Sequence, residues 1–155
     1  MGLSANFRKV CLIEIRSLFQ NMKITVETKL NEIKLKVRNI KFVGNKSSLV
    51  QLFTILLDNA IKYSKARSKI YVTSKVTKGI VFIKIIDNGI GITEDDIERI
   101  FDRFYRVDKS RGSSFAKGFG LGLSIAKEIV HLHKGEIRAV SSQKGTEFIV
   151  ELPLA

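Results

Sequence analysis

The chain switches repeatedly between two hydrophobic periods, and the switches mark out its elements. Over 12–30 the apolar residues Leu12, Ile15, Phe19, Met22, Val26 and Leu30 recur at three- and four-residue steps, a spacing that predicts an amphipathic helix. Ahead of it, "NFRKV" (6–10) reads as a short edge strand. Period two takes over in "EIKLKV" (32–37), and "IKFVG" (40–44) reads as its partner strand. Asn45 or Ser47 can cap the helix predicted over 48–64, which is apolar on most sides and therefore deeply buried. "KIYVTSKV" (69–76) and "IVFIKIID" (80–87) form a hairpin turning through Lys78 and Gly79. A loop, "NGIGI", leads to a short helix over 93–101 with Thr93 as cap and acids in its first turn. Residues 102–118 are polar, charged and weakly periodic, and read as a long mobile loop of the kind kept for function. A helix over 119–134 and strands over 135–142 and 146–153 finish the chain.

These elements sum to an α/β fold, a two-layer sandwich whose mixed sheet of about five strands carries helices on one face. There is no internal repeat and no low-complexity segment.

Composition narrows the class. At 155 residues, 45% apolar and 27% charged, the chain reads as one soluble domain with a real core. No apolar run approaches the roughly 18–20 residues that a spanning helix needs, and "MGLSANF" lacks the apolar stretch of a secretory signal. The start resembles a myristoylation site, but Asn6 stands where Ser or Thr is required. The single cysteine, Cys11, excludes an internal disulfide and fits a reducing, cytoplasmic setting. Net charge is +12, and residues 1–80 hold 16 Lys/Arg against 4 Asp/Glu while residues 81–155 hold 11 of each. Such a half could meet nucleic acid, an anionic membrane or an acidic protein, or be a solvated lysine surface.

Four short stretches carry candidate chemistry. In "LLDNAIKYS", Asn59 and Lys62 lie three apart on one helix face. An amide oxygen can ligate Mg²⁺ and a lysine can meet phosphate; a core Asn bonded to backbone beside a surface Lys is the plainer alternative. In "IIDNGIGI", Asp87 ends an apolar strand, so its carboxylate is held partly buried, where it can accept from an exocyclic amine such as that of adenine. Gly89 and Gly91 let backbone or ligand approach closely, although an ordinary Asp-Asn-Gly turn has the same letters. In "IFDRFYRV", Phe101 and Phe104 stand beside Arg103 and Arg106; two aromatics near a loop are usually local core, and Arg106 could reach a nucleotide phosphate, although an exposed arginine is the commoner case. In "GFGLGL", Gly118, Gly120 and Gly122 leave successive N–H groups open at a helix start, which favours an anion. The spacing is neither the dinucleotide fingerprint nor a Walker A loop.

Taken in order with "KGTEF" (144–148), these stretches resemble the N, G1, F, G2 and G3 boxes of the ATP-binding catalytic domain of bacterial sensor histidine kinases, within the superfamily of gyrase, Hsp90, histidine kinases and MutL. The resemblance runs from about Phe7 to Pro153 and implies a Bergerat-type ATP-binding fold. It implies that Asn59 ligates Mg²⁺, Lys62 touches phosphate and Tyr63 packs by the adenine. Asp87 would pair with the adenine amino group, beside Gly89, Gly91 and Ile92, with Thr146 assisting through water. Residues about 105–118 would form a lid, Tyr105 and Arg106 would face ribose and phosphate, and Lys117, Gly118, Phe119, Gly120, Leu121, Gly122 and Leu123 would line the phosphate cradle.

The activity this implies is transfer of the γ-phosphoryl group of MgATP to a histidine on a separate dimerisation domain, which in turn serves a response regulator. No residue of the chain is read as a covalent catalyst, and no stretch matches the acceptor box. His131 and His133, the only histidines, sit at a helix end and read as structural. Residues 1–10 would be a linker remnant or edge strand and 11–155 the catalytic domain, monomeric in isolation and free of membrane contact, any anchor of the parent lying outside this chain.

Three positions depart from the family pattern. Ile55 stands where many kinases have a second Asn and gyrase-like members a catalytic Glu, Phe119 replaces a small residue, and Cys11 replaces a frequent acidic helix cap. Ile55 and Phe119 motivate an alternative, a nucleotide-binding regulatory module with little phosphotransfer. The well-formed "FDRFYR" speaks against an anti-sigma-type serine kinase, and no aromatic-basic stacking platform supports nucleic-acid binding.

Overall fold

The fold was obtained as a computed structural model, which describes residues 10–22, 32–105 and 121–154. The elements are β1 (Cys11–Glu14), α1 (Ile15–Asn21), β2 (Glu32–Lys36), β3 (Lys41–Gly44), α2 (Lys46–Tyr63), β4 (Lys69–Thr77), β5 (Ile80–Ile86), α3 (Glu94–Ile97), α4 (Gly122–Leu132), β6 (Glu136–Ser142) and β7 (Gly145–Pro153). Five strands form one mixed sheet in the order β2-β4-β5-β7-β6, with β2 parallel to β4 and every other pair antiparallel. The expected two-layer α/β arrangement is what forms.

The core lies between that sheet and the helices. From α2 it takes Leu49, Leu52, Phe53, Leu56, Leu57 and Ala60, and from α4 Ala126, Ile129 and Val130. These meet the inward residues of the strands, Ile70 and Val72, Val81, Ile83 and Ile85, and Phe148, Val150 and Leu152. Each such side chain contributes about 1.5–3 kcal/mol by leaving water, so the central strands and α2 form the rigid frame on which the loops are mounted. Asn45 is the cap of α2, its side chain accepting from the Ser48 N–H at 2.8 Å. Thr93 caps α3 as its sequence suggested.

The N-terminal region differs from the sequence reading. Residues 11–14 are a strand and the helix is only Ile15–Asn21. The three- and four-residue spacing there is shared by two elements: Ile13 is buried and Leu12 exposed, as strand alternation requires, whereas Ile15, Leu18 and Phe19 form a helical face. Residues 23–30 of the expected helix and 6–9 of the expected edge strand lie outside the described residues. Cys11 is an exposed strand residue and not a helix cap; Glu14 holds the cap position of α1 and makes no side-chain capping bond.

Strands β2 and β3 are also not partners. β3 pairs antiparallel with β1 in a separate two-stranded sheet, Cys11 opposite Gly44 and Glu14 opposite Lys41. β2 pairs in parallel with β4, Ile33 opposite Ile70. A parallel pair needs a long crossover, and the segment containing β3 and α2 provides it. The helix expected over 93–101 is regular only over Glu94–Ile97 and continues as turns that end at Phe104, whose φ is +66°. The last helix begins at Gly122, residues 119–120 lying outside the described set.

Candidate functional site

The end of β5, the end of α2 and the β6–β7 hairpin converge on Asp87. Leaving the sheet after Ile86, the chain buries Asp87, with only 6% of the residue exposed. Oδ1 accepts from the Gly89 N–H at 2.8 Å and from the Thr146 N–H at 3.3 Å. Among the described residues nothing donates to Oδ2. Burial pushes the carboxyl above its ordinary range, and the two backbone donors pull the other way. A buried carboxylate with one oxygen fixed and the other open is a directional acceptor for an N–H that a ligand brings.

Glycines make the closeness possible. A Cβ on Gly89 would lie 2.0 Å from the Tyr63 carbonyl oxygen, which also accepts from the Ile90 N–H at 3.3 Å, so the loop is laid against the last turn of α2. On the other side, a Cβ on Gly91, at φ +76°, would lie 2.3 Å from the Ser142 carbonyl oxygen. Gly145, at φ +136°, has its own missing Cβ 2.1 Å from the Asp87 carbonyl oxygen. The loop from 87 to 92 is thus clamped between a helix end and a hairpin.

Asn59 and Tyr63 are half-buried on the same stretch of α2 and Lys62 is exposed. The Asn59 amide has no hydrogen-bond partner among the described residues, so it is not a core Asn satisfied by backbone. Ile92 is half-buried, its N–H bonded to the Ser141 hydroxyl at 2.5 Å. Thr146 is buried, its hydroxyl 3.3 Å from that of Ser141. Leu121, Gly122 and Leu123 form the half-buried start of α4, where no side chain caps the helix. A Cβ on Gly122 would sit 3.4 Å from Ile55 Cγ2, so Ile55 packs α2 against the head of α4.

Tyr105 is placed differently. Its hydroxyl donates to the Asp96 carboxylate, which holds the phenol above its ordinary pKa, and Arg99 lies 4.6 Å from its ring centre, so the described contacts tie it to α3. Phe101 packs edge-on against Phe148 at 6.3 Å, whereas Phe104 is exposed. Arg106, Lys117, Gly118, Phe119 and Gly120 lie outside the described residues. His133 is structural: its ring bonds the Ile129 carbonyl and the Asn45 N–H. His131 is exposed and borders an open cavity of about 480 Å³ that none of the residues around Asp87 lines.

Sequence reasoning missed Ser141, and it included Gly145 only within "KGTEF", with no role of its own. The signal for Ser141 was a serine at an inward position of an alternating strand, after Ile137 and Ala139.

A sequence model of the family described as histidine kinase-, DNA gyrase B-, and HSP90-like ATPase matches residues 44–155. The chain belongs to that family. It is 43% identical over 136 residues to the signal transduction histidine-protein kinase ArlS of Staphylococcus aureus (strain USA300), a match covering 87% of this chain and 30% of that protein. The fold superposes on the catalytic domain of histidine kinase ThkA with a TM-score of 0.79 at 23% identity, covering 94% of this chain and 98% of that one. On the mycobacterial sensor histidine kinase MprB the TM-score is 0.77 at 25% identity, covering 92% and 95%. The chain thus matches under a third of the length of its curated relative.

Among the described residues no three or more His, Cys, Asp or Glu side chains gather to hold a metal. Mg²⁺ takes one or two protein oxygens and completes its shell with water and substrate phosphates. The Asn59 side chain, with no hydrogen-bond partner among the described residues, carries an oxygen that fits this donor type. No described helix is long and apolar enough to cross a membrane.

Proposed function

We propose that this domain binds MgATP and donates the γ-phosphoryl group to a histidine on a separate dimerisation domain of a cytoplasmic-facing two-component sensor kinase. The observation that carries the reading is Asp87, a buried carboxylate with Oδ1 held by two backbone N–H groups and Oδ2 open. An adenine amino group is the donor that fits it. Tyr63 would lie beside the base, and Asn59 would hold Mg²⁺ against the phosphates, with Lys62 one turn on as a further cation. When bound, Mg²⁺ supplies neutralisation of phosphate charge. The chain's own work is to orient the nucleotide and exclude water, since phosphoryl transfer asks for positioning more than covalent help.

Family membership and the 43% identity to ArlS support the kinase assignment. A full-length kinase of similar fold, ShkA, was solved in complex with AMPPNP. The acceptor lies on the partner domain in this reading: His133 has both ring nitrogens committed, and His131 borders a cavity that none of the residues around Asp87 lines. A response regulator is then served indirectly.

The test is thermal unfolding of the chain with ADP and ATP, with and without Mg²⁺. At about 100 times the dissociation constant a ligand adds roughly 2.7 kcal/mol, a shift on the order of 5–10 °C at this size. A shift that needs adenine, grows with Mg²⁺ and falls to about half or less in Asp87→Asn is expected; no shift with any nucleotide would sink the reading. Phosphate transfer from ATP to an added dimerisation domain separates the kinase from a regulatory module that only binds.

A further inference from the structure

Ser141 occupies a place that the nucleotide reading leaves without a role. It follows Ile137 and Ala139 at the inward positions of β6, where an apolar side chain would be expected. Its Oγ accepts from the Ile92 N–H at 2.5 Å and lies 3.3 Å from both the Gly145 carbonyl oxygen and the Thr146 hydroxyl. A hydroxyl has one hydrogen and two acceptor positions. With one acceptor position taken by Ile92, the hydrogen is left for the hairpin, so a single side chain joins the loop to β7.

The loop is held at three points. Near Asp87 the backbone N–H bonds the Thr146 carbonyl at 2.9 Å, and in the middle Ile90 bonds the last turn of α2. At the far end, among the described residues, Ser141 supplies the hydrogen bond that Ile92 makes. Gly91, with φ +76° and no room for a Cβ against the Ser142 carbonyl, brings the backbone into reach of that hydroxyl. The same hairpin supplies the Thr146 N–H to Asp87 Oδ1. Ser141 therefore fixes the spacing between Asp87, Thr146 and Ile92, and with it the direction in which Oδ2 opens.

Resting on the nucleotide reading above, we propose that Ser141 is a positioning residue for the purine, one that sharpens preference for a 6-amino over a 6-oxo base. Without the hydroxyl, the half-buried Ile92 N–H loses its partner and the loop drifts from the hairpin. Asp87 then no longer points at one donor. Ser141→Thr keeps the hydroxyl on a residue that suits a strand; Ser141→Ala removes it.

The experiment measures ADP and IDP affinities by calorimetry for the unaltered chain, Ser141→Ala and Ser141→Thr, with amide hydrogen exchange at Ile92. Ser141→Ala should weaken ADP about tenfold, the scale of one hydrogen bond, lower the ADP-to-IDP preference several-fold, and speed Ile92 exchange. Ser141→Thr should stay near the unaltered chain in all three. The proposal is overturned if Ser141→Ala leaves ADP affinity and preference unchanged. It is equally overturned if ADP and IDP weaken in parallel, which is what lost stability alone would give, or if Ser141→Thr fails as Ser141→Ala does. An unaltered chain that binds no ADP overturns the nucleotide reading and this role together, a different result from loss confined to the alanine variant.

Discussion

Asp87 shows how a functional residue is held at a cost to the fold. Burial raises its pKa, so the folded chain takes up the proton more readily than the unfolded one. Ionised Asp87 therefore destabilises the empty domain. The penalty begins as pH rises above the ordinary value of 3.8, grows through the raised folded value and is constant beyond it. Asp87→Asn keeps an oxygen for the Gly89 and Thr146 donors while removing the charge. It should melt above the unaltered chain at pH 7, the gap closing as pH falls towards 4, and should weaken ADP by about 10–100-fold, the range for a hydrogen bond to a charged group. Melting curves across pH, paired with ADP titration, check both halves; an Asn variant that melts lower at pH 7 would refute the strain. This much was legible in sequence, because a strongly apolar strand ending in Asp-Asn-Gly announces a carboxylate at the core's rim. What the string could not carry was which N–H groups reach it, since Thr146 comes from 59 residues away.

Elements meet at two joints that behave differently. The first ties α4 to the head of α2 through His133. Nδ1–H donates to the Ile129 carbonyl at 2.9 Å, and Nε2 accepts from the Asn45 N–H at 3.1 Å. A proton on Nε2 would face that N–H, and burial lowers the pKa. Stability from the neutral ring is present above the ordinary value of 6.5 and is lost as pH falls from there towards the depressed folded value. His133→Ala should cost about 2–4 kcal/mol at pH 7.5 from the lost bonds and packing and should flatten this acid slope, read by denaturant midpoints between pH 5.5 and 7.5. The second joint is Gly89 against α2. Gly89→Ala should cost about 1–3 kcal/mol through overpacking and weaken ADP, because its Cβ would strike the Tyr63 carbonyl. Gly79→Ala, with φ +74° but open space around it, should cost about 1 kcal/mol of left-handed strain and leave ADP untouched. Equal effects on binding at the two glycines would remove the clamp from the account. Elements with unbroken periodicity, α2, β4, β5 and β7, were legible within a residue or two. β1 was not, because Leu12 and Ile15 satisfy helical spacing by coincidence across a strand-to-helix junction. The pairing of β2 with β4 was hidden because a crossover strand intervenes.

At the scale of the whole molecule, core and site share a frame without sharing residues. The inward faces of β4, β5 and β7 against α2 and α4 supply the stability, and Asp87, Gly89 and Thr146 sit where that frame ends. Ion pairs add little to that frame: Lys34 pairs with Glu32 at 2.7 Å and Lys84 with Glu147 at 3.2 Å through solvent-facing side chains, contacts worth little in water. A change deep in the frame should therefore shift the unfolding equilibrium and leave the site's affinity alone. Ile83 is fully buried on β5, four residues before Asp87. Ile83→Val should lower stability by about 0.5–1.5 kcal/mol, moving the urea midpoint while leaving the denaturant slope and the ADP dissociation constant of the folded chain as they were. Asp87→Asn should do the converse, losing ADP while the empty domain stays folded. If Ile83→Val weakened ADP by more than its loss of folded population explains, strain would be travelling along β5 into the carboxylate, and frame and site would have to be treated as one unit.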